Sequence, residues 1–198
     1  IYALAPHVRA TYPLPTEPIP LMIGSWGKTL CALAGEIADE VKVGGTANPD
    51  LIPVIRNYIA VGERKANRSN AVSICLGAVT VIDEDREVAR AVARKSVAVY
   101  LPIVAPLDPT VTVEPELVTR LQQHVEQGDS DAAARLISDD LLDRFAFAGD
   151  ANDLIRQSEA IFAAGGTRVE FGTPHGLPSA KGIQLLGEKV LPALHKLS

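Results

Sequence analysis

Pro18-Ile19-Pro20-Leu21-Met22-Ile23-Gly24-Ser25-Trp26-Gly27-Lys28-Thr29 is the stretch on which the reading of the fold turns. Residues 21–23 are a short apolar run, followed by a Gly-x-x-Gly turn and then a helical pattern. A buried strand hands over to a helix in this way, with backbone N–H groups left open at the turn. The positive end of the helix dipole stands behind those groups, so the turn suits a phosphate or a carboxylate. Gly24 and Gly27 permit close backbone approach, Ser25 offers a hydroxyl, and Lys28 adds a cation. A strand-to-helix turn with no ligand has the same local pattern. Gly27-Lys28-Thr29 also mimics the end of a P-loop. That motif needs glycine five positions before its Gly-Lys pair, and this chain has Met22 there, so the triphosphate-wrapping loop is missing.

Outward from that turn, strands and helices alternate. Leu30, Leu33, Ala34 and Ile37 recur at helical spacing over residues 29–39 and are expected to pack on a sheet. Glu36 and Asp39 share a face and read as a solvated edge. Residues 40–45 form a second strand ending in Gly44-Gly45. Asn48-Pro49 then opens a helix with Ile52, Ile55 and Ile59 as its buried stripe. Residues 71–82 are the longest strand candidate. They are apolar on both faces, as inside a helix-covered parallel sheet, and Gly77 marks a bulge or a close approach. Asp83-Glu84-Asp85 starts a helix whose face is read as Val88, Val92 and Val99.

Pro102, Pro106, Pro109 and Pro115 then break the rhythm. Residues 101–147 read as a mostly helical insertion. Asp129, Asp131, Asp139, Asp140 and Asp143 serve there as helix caps and solvated faces rather than as a metal site. Gly149-Asp150 starts a helix that ends at Gly165-Gly166, and residues 167–171 are a strand. The loop Gly172-Thr173-Pro174-His175-Gly176 follows, then a last helix from 179 to 197 with Gly187 as a weak point. The organisation is one domain: a proline-rich lead-in over 1–20, three strand–helix units over 21–100, the insertion over 101–147, and a final helix, strand and helix over 148–198.

The chain has 198 residues, 47% hydrophobic and 22% charged, which is the balance of a globular domain. A net charge of −5 argues against a general nucleic-acid surface, though not against one local anion site. No apolar run is long enough for a transmembrane helix, and no signal-peptide pattern stands at the start. Cys31 and Cys75 have no metal-ligand neighbours at the usual spacing and read as buried, reduced thiols of a cytoplasmic protein. The chain begins with Ile1 and its single methionine is Met22, so the expectation is that an N-terminal part precedes it.

Alternating strands and helices predict a parallel sheet with right-handed crossovers. The marked loops follow the C-terminal ends of strands, where α/β proteins place ligands. Periodicity leaves an open sheet and a barrel both standing.

Residues 20–27, the run Leu33-Ala34-Gly35-Glu36-Ile37-Ala38-Asp39, Gly44-Gly45 with Asn48-Pro49, and Gly172-Thr173-Pro174-His175-Gly176 before Leu185-Leu186-Gly187-Glu188 together resemble the luciferase-like flavin and deazaflavin oxidoreductases. Within that superfamily they are similar to methylenetetrahydromethanopterin reductases. The resemblance implies the C-terminal half of a (β/α)8 barrel, from the fifth strand onward, with a helical insertion before the last strand. Such a half would pair with a second copy or with its N-terminal half. It also implies coenzyme F-420 (a deazaflavin) or FMN as cofactor, with a hydride passing between it and a small organic substrate. A flavin-dependent monooxygenase, or a non-catalytic flavin-binding shortened barrel, is the alternative. The cofactor's phosphate tail would meet Gly24, Ser25, Trp26, Gly27 and Lys28, with Gly44 and Gly45 beside the same pocket. Trp26 would either wall the ring or simply pack. Thr173 and His175 would face the substrate, and Arg168, at a strand start, would lie on the stability face. No catalytic residue is assigned, since hydride chemistry belongs to the cofactor.

Overall fold

The computed structural model describes residues 15–195. The first fourteen positions of the expected lead-in, and the last positions of the expected final helix, lie outside the described residues. In chain order the elements are β1 (Met22–Gly24), α1 (Lys28–Ile37), β2 (Glu40–Gly44), α2 (Leu51–Lys65), β3 (Ser73–Ile82) and α3 (Arg86–Val104). After a 3-10 turn come α4 (Pro115–Glu126), α5 (Ser130–Arg135), α6 (Asp139–Phe145), β4 (Ala146–Gly149), α7 (Ala151–Ala163), β5 (Arg168–His175) and α8 (Ser179–Leu185). A π-helical turn over Leu186–Val190 leads into α9 (Leu191–Leu194). No described helix is long and apolar enough to cross a membrane.

All strand pairs are parallel, as the alternation predicts. β3 has three partners. Cys75, Leu76 and Gly77 pair with both β2 and β5, while Val79 and Val81 pair with both β4 and β5. A strand has two edges, so β5 holds one, and β2 and β4 follow each other along the other. The path from β3 to β4 therefore turns back toward β2. A right-handed crossover in that direction must lie on the face opposite α1 and α2. Burial agrees. Leu76, Ala78, Ile82 and Phe147 pack with α1, α2, α7 and the last helices, whereas Val81, Ala146 and Ala148 pack with α3, α4, α5 and α6. Phe147 and Phe171 reach across β3 on the first face, edge to face with centroids 5.1 Å apart. The sheet is helix-covered on one face throughout and on the other only around its C-terminal half.

β4 is absent from the sequence reading, which ran the insertion through residue 147. Its four residues are flanked directly by α6 and α7, and the alternation Ala146-Phe147-Ala148 is too short to mark a strand. Three expected packing faces are also corrected. β1 is a half-open edge strand rather than a buried one. On α1 the large residues Leu30, Leu33 and Ile37 are exposed, and Cys31, Ala34 and Gly35 are buried. On α3, Val88 and Val99 are exposed, while Ala89, Ala93, Val97 and Leu101 are buried. On α1 the small residues are buried because the close backbone approach of α2 needs them. The stripe Ile52, Ile55 and Ile59 on α2 is buried as expected, and both cysteines are buried and unpaired.

α1 and α2 cross at Gly35 and Gly62. A Cβ on Gly62 would fall inside the carbonyl oxygen of Ala32, and one on Gly35 inside that of Ile59. Arg68 closes the C-terminal end of α1 by donating to the carbonyls of Gly35 at 3.1 Å and Ala38 at 2.7 Å. Buried Glu63 accepts from the N–H groups of Ala71 and Val72, which aims the chain into β3. On the other face, buried Arg90 of α3 pairs with Asp143 at 2.6 Å and Asp139 at 2.9 Å and donates to the Ala148 carbonyl. α3, α6 and β4 are thereby locked together. Glu36 pairs with Lys65, and Asp39 accepts from the Leu21 N–H, so the pair read as a solvated edge also fastens β1 and α2.

Two predictions follow from this packing. Gly62→Ala forces backbone against backbone and is expected to destabilise by about 3 kcal/mol or more, a fall in Tm of roughly 6–12 °C. Gly187→Ala, whose Cβ meets nothing within 4 Å, should leave Tm level or raise it; thermal melts of both variants check this. Asp153 caps α7 and meets Arg86 at 2.9 Å and Arg156 at 2.6 Å. Burial works to raise its pKa, but the Arg156 hydrogen bond, the Asp150 N–H and Arg86 outweigh it and hold the carboxyl below the usual carboxylate range. A depressed folded-state pKa stabilises above the unfolded value and is lost as pH falls. Melting temperature should therefore drop as pH falls below about 4, and Asp153→Asn should show a smaller drop.

Candidate functional site

The connection after β2 goes to the face of α2, and the connection after β3 goes to the opposite face, where α3 lies. Open parallel sheets bind ligands outside the strand C-termini where successive connections part in this way. A cavity of about 430 Å³ sits there, a volume typical of small-molecule sites. Its sheet side is formed by Gly44 at the end of β2 and Gly45 just after it, by Gly77, Ala78 and Val79 in β3, and by Gly172 in β5. Tyr100 and Val104 of α3 face them, Lys42 and Glu170 supply the charges, and Thr173 completes the lining. Tyr100 donates to the Phe145 carbonyl, and burial pushes its phenol well up, so it stays neutral. Among the described residues no group of three metal-ligating side chains occurs.

The β2 end of the cavity is rigid for reasons that can be traced bond by bond. Gly45, at φ 85°, lets its own N–H and that of Thr46 both donate to the Gly77 carbonyl, at 2.6 and 3.1 Å. Asn48 is fully buried. Its amide donates to Asp108 at 2.9 Å and Thr110 at 2.8 Å, and its oxygen accepts from Arg144 at 3.1 Å and from the Asp50 N–H at 3.2 Å. The last contact closes a turn ahead of α2 rather than capping it: the helix starts two residues later than expected, with Asp50 at its N-cap and no side-chain cap bond. The others tie the loop to the insertion, which is what the insertion contributes to the site.

Of the residues singled out in the sequence, Gly44, Gly45 and Thr173 line this cavity. Gly24, Ser25, Trp26, Gly27 and Lys28 form the neighbouring turn. Two of that turn's N–H groups are already used, Ser25 N on the Lys42 carbonyl and Gly27 N on Ser25 Oγ, both at 3.0 Å. The first-turn N–H groups of α1 receive no side-chain cap from Gly27. Trp26 packs against the core, and its indole N–H donates to the Gly44 carbonyl at 3.0 Å, which joins the turn to the cavity. Lys28 Nζ stands 5.5 Å from the centre of the Tyr58 ring, a cation–π contact. His175 does not line the cavity. It sits at φ 70°, its Nε2 bonds the Phe171 carbonyl at 3.0 Å, and its Nδ1 is buried without a hydrogen-bond partner. A ring nitrogen facing a carbonyl carries the proton, which leaves Nδ1 as an acceptor.

The sequence reading missed Lys42, Glu170, Gly77, Gly172, Tyr100 and Val104 as site residues. For the first two a signal existed: each is a charge flanked by apolar residues within a strand. Tyr100 and Val104 carry none, because their position depends on the crossover to the second face. A larger cavity, about 640 Å³, lies beside the N-terminal end of β5 between α7 and α9, lined mainly by Phe162, Val169, Leu191 and Leu194. Glu159, Thr167, Arg168 and His195 complete its lining. It is remote from the strand C-termini, where parallel sheets place ligands, so size alone does not make it the site.

The family model for luciferase-like monooxygenases matches residues 2–168. The 5,10-methylenetetrahydromethanopterin reductase of Archaeoglobus fulgidus is 31% identical over 89% of this chain and 54% of its own length. The reductase of the same name from Methanopyrus kandleri is 29% identical over 88% of this chain and 50% of its own. The solved coenzyme F-420-dependent tetrahydromethanopterin reductase from Methanopyrus kandleri superposes with a TM-score of 0.78 at 28% identity, over 88% of this chain and 50% of that one. A secondary alcohol dehydrogenase solved with an F-420–acetone adduct shares the fold at TM-score 0.64 and 22% identity, over 91% of this chain and 50% of that one. The chain thus spans about half the length of the relatives it matches. With its parallel sheet, its inserted helices and a family match over most of its residues, the chain belongs to the luciferase-like monooxygenase family.

Proposed function

We propose that this chain is the cofactor-binding C-terminal half of a (β/α)8-barrel oxidoreductase that takes coenzyme F-420, with methylenetetrahydromethanopterin reductase-like hydride transfer to or from a small organic substrate. The observation that carries the reading is the glycine-lined cavity at the divergence of α2 and α3. A flat ring can lie at Gly44, which no side chain covers, with Val104 over Gly45 and the Lys42 and Glu170 side chains over Gly77 as its surroundings. Gly44 is the sharpest test of fit, since a Cβ there would meet nothing within 4 Å. The β1–α1 turn fits the anionic tail, with uncapped first-turn N–H groups at α1 and the Lys28 ammonium. Trp26 holds turn and cavity together through Gly44, Thr173 lies on the substrate side of the lining, and His175 Nδ1 is an acceptor in need of a donor.

Coenzyme F-420 is preferred over FMN because a relative similar in both sequence and structure is named for it. When bound, the deazaflavin supplies hydride exchange. This chain's residues bind and orient it and exclude water from one side of the ring. Barrel closure is part of the proposal. Among the described residues β1 pairs only with β2, and β5 only with β3, so two sheet edges stand open to strands supplied by the N-terminal half or a second copy.

Fluorescence titration with F-420 tests the reading. Gly44→Val should weaken binding roughly tenfold or more by occupying ring space, with Tm within about 2 °C of wild type. Lys28→Ala should weaken F-420 severalfold and flatten the salt dependence, as loss of one contact to an anionic tail requires. Wild type that binds no F-420 would sink the proposal, as would Gly44→Val binding it undiminished.

A further inference from the structure

The sheet face left bare by α3 is charged. Two ion pairs cross β3 there: Glu40 of β2 with Arg168 of β5, and Lys42 of β2 with Glu170 of β5. In register, Lys42 lies opposite Cys75 and Arg168, and Gly44 opposite Gly77 and Glu170. Each pair is therefore diagonal, passing over the small residues of β3. At Gly77 the fit is close, because a Cβ would lie 3.2 Å from Glu170 Cβ and 3.3 Å from Lys42 Cε. The two pairs differ in position. Glu40 and Arg168 stand outside the 430 Å³ cavity, with Arg168 also touching Met22 Sδ, whereas Lys42 and Glu170 are part of its lining.

Lys42 Nζ sits 2.5 Å from Glu170 Oε2, with side-chain exposures of 27% and 47%. A pair this open contributes about 0–1 kcal/mol. An acceptor on a ligand can therefore take the ammonium from Glu170 at little cost, and Glu170 is left free to turn to solvent. No other lysine or arginine lines the cavity, so Lys42 is the cation available to a ligand lying in it.

We propose that Lys42 is a ring-recognition residue: its ammonium meets the carbonyl–imide edge of a fused pyrimidinedione ring, and Glu170 is the resting counter-ion that positions it. This rests on the cofactor reading above and deepens it by naming the ring edge recognised. The ring's carbonyl oxygens accept from an ammonium, and a cation beside them favours any negative charge that the ring carries once its imide N–H is lost. The phosphate tail has its own cation and N–H groups at the β1–α1 turn, so the ring is the part left for Lys42.

Titration of the purified chain with riboflavin and with FMN, which share a ring and differ in the phosphate, separates the possibilities. Lys42→Met should bind both about tenfold more weakly than wild type, and the imide pKa of the bound ring, read from its absorbance, should rise relative to wild type. Glu170→Gln should bind at least as tightly as wild type. Lys42→Arg should keep most of the affinity, and it carries the test if the methionine variant does not fold. Equal riboflavin affinity and imide pKa in wild type and Lys42→Met would overturn the proposal, as would a loss confined to FMN, which would place Lys42 on the phosphate. Wild type that binds F-420 but neither flavin would overturn this inference alone, and wild type that binds neither flavin nor F-420 would overturn the cofactor reading with it.

Discussion

Backbone pairing along β3 is the constraint on which the molecule depends. β3 has ten residues where its neighbours have four to eight, and that excess length lets two strands share one of its edges. Because β4 takes the stretch beyond β2, the chain reverses direction across the sheet. Handedness then sends α3 to the second face. Had β4 been added outside β5, α3 would lie on the first face with α1 and α2, and the cavity would lack the wall that Tyr100 and Val104 provide.

Strand–helix alternation and the parallel sheet were legible because each depends on local composition. Residues 71–82 are apolar on both faces, and the C-terminal stretches of strands are glycine-rich. Helix faces were less legible. Leu30, Leu33 and Ile37 form a clear amphipathic stripe, yet α1 buries Cys31, Ala34 and Gly35, because α2 offers Gly62 and the two backbones meet. Helical spacing states which residues share a face, not which face the partner can approach most closely. The candidate site divides the same way. Gly44, Gly45 and Thr173 follow from the rule that ligands sit beyond strand C-termini, whereas Tyr100 and Val104 become neighbours of Gly45 only through the crossover.

The charged face bears on what the sheet is for. Barrel interiors are filled by layers of branched aliphatic side chains, whereas the sheet face that would line the proposed barrel carries Glu40, Lys42, Arg168 and Glu170. Cys75 beneath them is buried, and burial pushes its thiol up against the opposing pull of Arg168, so it remains a neutral thiol. Four charges that satisfy one another form a layer compatible with water and with a polar ligand edge. An aliphatic partner laid on that layer would strand them.

The polar groups around the cavity fall into two kinds, and the contrast between them separates scaffold from contact surface. Asn48, Thr46, Asp108, Thr110 and Arg144 form a network in which each bond has a protein partner, so the loop after β2 holds its shape without a ligand. The first turn of α1 has no side-chain cap, His175 Nδ1 has no partner, and the Lys42 ammonium is held only by a half-exposed carboxylate. Of these, His175 Nδ1 is the buried group without a partner, a state that costs about 1–3 kcal/mol until a donor reaches it, while the α1 turn and Lys42 are open to solvent. Their placement on a rigid frame is the arrangement that binding by pre-organised donors and acceptors requires.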